Sequence, residues 1–150
     1  KAQRIIVVEA VDNPSNIGAI VRCATGLGWD GLICDSTSAD PLSRRALRVS
    51  MGSAFSLRFA RTNDIAQTLS ELRAQNFKLF ALTPDENATN ISDVKLESSQ
   101  KRALIFGSER AGLSTQAIAN ADALVRIEMN PEVDSLNVAA AAAISCYALR

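Results

Sequence analysis

Continuous apolar runs alternate along this chain with stretches in which apolar positions recur every three or four residues. Ile5, Ile6, Val7 and Val8 sit inside residues 3–11 and predict a strand buried on both faces. The turn cluster Asp12-Asn13-Pro14-Ser15-Asn16 follows. Ile17, Ile20, Val21, Ala24 and Leu27 then keep helical spacing, so a helix is predicted over 16–27 with Gly28 closing it. Leu32 to Cys34 reads as a second strand. Residues 41–49 read as a short basic helix, capped by Asp40 with Pro41 in its first turn. Residues 56–61 alternate, with Leu57 and Phe59 on one face, and predict a third strand. Ile65, Leu69 and Leu72 place a helix over 63–76, and 77–82 form a strand ended by Thr83-Pro84. Residues 85–99 are polar and carry no readable period. A strand over 103–106 runs into Gly107, and Ser114 opens a helix over 114–121. The last strand is 123–127, and the last helix is 135–149, with Ser135 as its cap and an alanine run from Ala139 to Ala143.

Strands alternating with helices predict an α/β fold: one domain over 1–150, a mostly parallel sheet flanked by helices. A chain of 150 residues is long enough to bury a substantial core, and 47% hydrophobic with 21% charged residues is ordinary globular composition. Lys and Arg number 16 and Asp and Glu 16, so the formal net charge is zero and any nucleic-acid site must be a local patch. The absence of His excludes a Ser-His-Asp triad, a Cys-His dyad and His-ligated zinc. Cys23, Cys34 and Cys146 are odd in number and widely spaced, which fits neither a disulfide framework nor a metal cage, so reduced thiols in a cytoplasmic protein are expected. No apolar run is long enough to span a bilayer, so no membrane partner is expected.

Gly26-Leu27-Gly28-Trp29-Asp30-Gly31 matches the dinucleotide pattern GxGxxG, but it ends a helix and opens a strand, the reverse of the required context. These read as turn glycines. Arg44, Arg45 and Arg48 read either as a solvated helix face or as phosphate contacts.

In a parallel sheet, ligands bind beyond the carboxyl ends of the strands. Three polar segments gather there. The first is Asn13-Pro14-Ser15-Asn16-Ile17-Gly18, followed by Arg22, which shares a helix face with Gly18. The plain alternative for Asn16 is a helix cap. The second is Gly107-Ser108-Glu109-Arg110-Ala111-Gly112-Leu113, where glycines allow a ligand to approach the backbone and Glu109 reads equally as a helix-capping acid. The third runs from Met129 to Asp134 and then Ser135-Leu136-Asn137-Val138. There Asn137 sits in a first helical turn with no evident structural use.

Taken together, NPSNIGAIVR, LIFGSERAGL and IEMNPEVDSLNVAAA resemble the three motifs of the SpoU (TrmH-like) branch of the SPOUT RNA methyltransferases, and RVSMGSAF resembles a further segment common there. The resemblance covers essentially the whole chain. Two positions depart from the family pattern: Arg110 stands where Gly usually follows the second-motif Glu, and Glu128 where Pro usually follows the third-motif Ile. The resemblance implies a C-terminal trefoil knot, S-adenosylmethionine as cofactor, a homodimer, and methyl transfer to a ribose 2′-hydroxyl of tRNA or rRNA. It places Thr83, Gly107, Ile127, Met129 and Leu136 at the cofactor. It also places Arg22, Asn16, Glu109, Ser135 and Asn137 at the reaction, with Arg22 as base or as electrostatic stabiliser and the others orienting Arg22, the ribose or the cofactor. Arg44, Arg45 and Arg48, with Arg58 and Arg61, are the candidates for RNA backbone contact. An N-terminal RNA-recognition domain outside these residues is expected on the same ground. The alternatives are a non-catalytic RNA-binding relative of the same fold, and a Rossmann-like enzyme acting on a small metabolite.

Overall fold

The computed structural model describes residues 2–150. Its sheet is seven-stranded, in the order β3-β2-β1-β6-β4-β7-β5. Every strand pair is parallel. The strands are β1 (Arg4–Val8), β2 (Gly31–Asp35), β3 (Arg58–Thr62), β4 (Phe77–Leu82), β5 (Thr89–Asn90), β6 (Lys101–Phe106) and β7 (Ala123–Arg126). The helices among the described residues are α1 (Pro14–Gly26), α2 (Arg44–Ser50), α3 (Ile65–Ala74), α4 (Thr115–Asn120) and α5 (Val138–Ala148). None is long and apolar enough to cross a membrane.

Two cores follow from side-chain alternation along the strands. Ile6, Val8, Phe80, Leu104 and Phe106 point to one face and meet Ile17, Ile20, Val21 and Ala24 of α1 and Val138, Ala142 and Cys146 of α5. Val7, Leu79, Ala81, Ala103 and Ile105 point to the other and meet Ile65, Leu69 and Leu72 of α3 and Ala117 of α4. The alanine run lets α5 lie close against α1, and Trp29 Nε1 donates to the Cys146 carbonyl at 3.1 Å to fix its far end.

Gly18 marks the crossing of α1 and α2. A Cβ there would stand 2.6 Å from the Ala46 carbonyl oxygen and 2.9 Å from Val49 Cβ. Arg45 of α2 adds a bond from its Nε to Ser15 Oγ. The loop into α1 is shaped by Asp35 at the end of β2, whose carboxylate accepts from the Ala10 amide and from Thr37 and Ser38. Burial pushes the Asp35 carboxyl up, but these hydrogen bonds outweigh it and hold it below the ordinary range. Of the glycines from Gly26 to Gly31, Gly26 is the last residue of α1, Gly28 makes the turn at φ +74 after the Leu27 cap, and Gly31 opens β2.

Several sequence expectations shift. Residues 85–99, left without an element, supply β5 and a 3-10 turn over Ile91–Asp93. A two-residue strand carries no periodicity to read. The basic helix starts at Arg44 under a Ser43 cap, not at Pro41, because the Asp40 carboxylate instead accepts from the Leu42 amide in a local turn. The strand expected over 56–61 begins at Arg58, since residues Ser53–Ser56 form a 3-10 turn. The cap of α1 is Asn13, which accepts from the Ser15 amide with Pro14 following it. Asn16 lies inside the helix. Likewise α5 begins at Val138 rather than Ser135, and its cap is Asn137. The amide given no structural use therefore has one.

Two outcomes test this packing. Gly18→Ala is expected to cost about 1–3 kcal/mol in urea unfolding, because the facing atom is backbone and cannot rotate away. The three cysteines are free thiols. Burial raises all three thiols: Cys34 is pushed up to about 12, and the more deeply buried Cys146 further still. A thiol is protonated and unreactive below its pKa. Cys34 and Cys146, both buried, are therefore expected to resist a thiol reagent at pH 8 until denaturant is added. Cys23, only partly buried, is expected to react first.

Candidate active site

Three loops leave the carboxyl ends of β4, β6 and β7 side by side. They enclose a cavity of about 380 Å³, within the size range of small-molecule sites. The loop after β6 is the tightest. Gly112 donates its amide to the Ser108 carbonyl at 3.0 Å, and Ala111 donates to Ser108 Oγ. A Cβ on Gly107 would stand 2.3 Å from the Gly112 carbonyl carbon. Gly107 is thus required because the chain approaches itself, whereas the sequence reading gave that approach to a ligand. Gly112 has φ +66 and open space around its Cα. Beyond it, Ser114 caps α4 by accepting from Ala117, and its amide donates to Glu9 Oε2 at the end of β1.

Thr83, Gly107, Ile127, Met129 and Leu136 all line this cavity. So do Glu109 and Ser135, together with Leu82, Phe106, Leu113 and Val138, which the sequence reading did not single out. Their only signal was apolar character next to a loop. The amides of Met129 and Leu136 have no hydrogen-bond partner among the described residues. An apolar lining with unspent backbone donors suits a ligand having a flat apolar ring and hydrogen-bonding edges.

At one rim, side chains from three distant segments join. Asn137 Oδ1 accepts the Ala139 amide as the cap of α5, so its Nδ2 must donate. One Nδ2 hydrogen goes to Asn16 Oδ1 at 3.1 Å and the other to Glu109 Oε1 at 2.8 Å. Glu109 Oε1 also accepts the Val138 amide at 3.1 Å. Glu109 is therefore a helix-capping acid, placed at the positive end of α5. Asn16 Nδ2 and Glu109 Oε2 stay free of protein partners among the described residues. A donor and an acceptor are left side by side at the rim.

Arg22 takes no part in that junction. It lies six residues beyond Asn16 on α1, about 9 Å along the axis. It is exposed and makes no hydrogen bond or ion pair among the described residues. None of Asn16, Glu109, Ser135 and Asn137 hydrogen-bonds Arg22 among the described residues; the ribose and the cofactor are the other two groups they were expected to orient. Arg22 shares the Gly18 stripe, which α2 covers, so it emerges beside α2. Arg44, Arg45 and Arg48 are exposed there. Arg58 is exposed on β3, while Arg61 is occupied by the Asp35 and Ser38 carbonyls. Of the two departures, Arg110 lines the cavity and Glu128 accepts from Asn90 Nδ2 at 2.9 Å, tying β5 to the loop after β7.

With this geometry in view, the comparisons define the class. Residues 3–147 match the SpoU rRNA Methylase family model, and the chain belongs to that family. It is 42% identical over 147 residues to an uncharacterised tRNA/rRNA methyltransferase of Mycobacterium tuberculosis, covering 97% of this chain and 51% of that protein. It is 31% identical to the Bacillus subtilis 23S rRNA (guanosine(2553)-2'-O)-methyltransferase RlmP, over 99% of this chain and 58% of that one. The AdoMet-bound rRNA methyltransferase from Sinorhizobium meliloti superposes with a TM-score of 0.90 at 29% identity, covering 99% of this chain and 56% of that one. The chain thus spans a little over half the length of these relatives.

Removing the amide that joins the three segments gives a direct test. Asn137→Ala loses the cap of α5 and both rim bonds, and is expected to lower stability by about 1–2 kcal/mol in urea unfolding.

Proposed function

We propose that this chain is the catalytic domain of an S-adenosylmethionine-dependent RNA methyltransferase acting on a ribose 2′-hydroxyl of tRNA or rRNA. The observation that carries the reading is the junction of Asn16, Glu109 and Asn137 on the rim of a cavity built by the three motif-bearing loops. A relative named as a 2′-O-methyltransferase and a neighbour of the same fold holding AdoMet support it.

The residues present fit that cofactor. Thr83, Gly107, Ile127, Met129 and Leu136 would hold it through the lining and the free amides. When bound, S-adenosylmethionine supplies a methyl group on a sulfonium with a good leaving group. The chain's own task is to align the ribose oxygen and take up its negative charge. Asn16 Nδ2 and Glu109 Oε2 are free to hydrogen-bond the sugar or its hydroxyl. Ser135, exposed on the cavity wall, is free to do the same. A guanidinium stays cationic in water, which favours Arg22 as the electrostatic partner of the oxyanion or a phosphate over Arg22 as base. The basic surface of Arg44, Arg45 and Arg48 would track the RNA backbone.

The trefoil knot belongs to this reading. The sheet order, with β6 between β1 and β4, and the packing of α5 against α1 are compatible with it. So does a homodimer, supported by the exposed Ile144 and Tyr147 on α5. A cytoplasmic setting and an RNA-recognition domain in the rest of the protein complete it.

Calorimetric titration with S-adenosylmethionine and S-adenosylhomocysteine is expected to show saturable binding near one site per chain. Arg22→Ala is expected to keep that binding while lowering 2′-O-methyl transfer to tRNA or rRNA by at least ~100-fold. Binding of neither ligand by the folded protein would leave the non-catalytic RNA-binding reading in its place.

A further inference from the structure

The opposite end of the sheet carries charge that the catalytic reading leaves unused. Arg102 lies at the start of β6, about 13 Å along the strand from Phe106 on the cavity wall. It is 4% exposed. Its Nε is buried without a partner, and its guanidinium makes no hydrogen bond or ion pair among the described residues. Buried charges are normally paired, because an unpaired one forfeits its hydration without return.

The neighbours of Arg102 deepen the anomaly. In the sheet register it stands between Arg4 of β1 and Lys78 of β4. Side chains alternate along strands, and Ile6, Phe80, Leu104 and Phe106 all belong to the core beneath α1 and α5. Arg4, Lys78 and Arg102 therefore project from that same face. Strands are about 4.8 Å apart, so the three cations form a row about 10 Å long. Arg4 Nη1 donates to the Gly28 carbonyl, but its Nε is also buried and unpartnered. Lys78 Nζ lies 5.7 Å from the Phe80 ring centroid. One acid continues the row on the β2 side, Asp30, and its Oδ2 accepts the backbone amides of Gln3 and Arg4. Burial, and then the charge of Arg4, both weaken the hold of Arg102 on its proton.

We propose that Arg4, Lys78 and Arg102 form a phosphate-binding site at the amino-terminal edge of the sheet. Two guanidinium forks and an ammonium suit a tetrahedral, multiply charged oxyanion, whereas a single carboxylate would neutralise only one of the three. The phosphate is either a free one or one in an RNA backbone.

The test is thermal unfolding of the protein with inorganic phosphate, against chloride at matched ionic strength, and separately with a short single-stranded RNA. Saturable stabilisation by phosphate is expected, on the order of 5 °C in Tm at about 100 times Kd. It is expected to vanish in Arg102→Leu and to weaken in Lys78→Ala, whose exposed side chain leaves the fold intact. Stabilisation by the RNA alone, lost in the same variants, would keep the site and assign the phosphate to a polynucleotide. No shift with either, or a shift that both variants retain, overturns the proposal.

Discussion

One carboxylate oxygen holds the functional end of this molecule together. Glu109 Oε1 accepts both the Val138 amide and the Asn137 side chain. Those two bonds fasten the loop after β6 to the start of α5. The same Asn137 amide reaches Asn16 on the first turn of α1. Three segments separated by as many as 121 positions become one rim. Hydrogen bonds to an ionised group are the stronger kind, about 1.5–3 kcal/mol each where water is excluded and less at an exposed rim such as this. The helix N-terminus adds a favourable field for the acid. The junction is thus as much a structural clasp as a chemical site.

That double role explains why the neighbouring glycines are fixed. Glu109 can reach α5 only if the loop after β6 turns back at once. It does so by pressing Gly107 against Gly112, leaving no room for a side chain. The anchor from Glu9 to Ser114 closes the far side of the same loop. The cavity then lies between this loop and those after β4 and β7, with apolar walls and unspent amides. Arg22 stands outside the clasp, on a surface shared with the basic residues of α2. The cavity and this basic surface therefore lie on different parts of the molecule.

Much was legible from residue order. The apolar run of β1, the spacing of Ile17, Ile20, Val21 and Ala24, and the Ser114 cap each specify their element locally. The five residues assigned to the cofactor by resemblance all line one cavity. The misplaced starts of α1 and α5 share a cause. Asn13, Asn16, Ser135 and Asn137 are all able to cap a helix, and a polar residue before an apolar run does not say which will do so. Asn137 wins over Ser135 because Glu109, 28 residues earlier, receives the Val138 amide.

By itself the sequence determined the element types, the parallel α/β class, the exclusion of histidine chemistry and the three polar segments at strand ends. These depend on side-chain period and composition, which act over a few residues. Tertiary structure alone decided which segments meet. It placed β6 between β1 and β4 and joined Asn16, Glu109 and Asn137. It kept Arg22 apart from them and set Arg102 unpaired between Arg4 and Lys78. Those outcomes depend on strand order and register, which no local pattern of residues encodes.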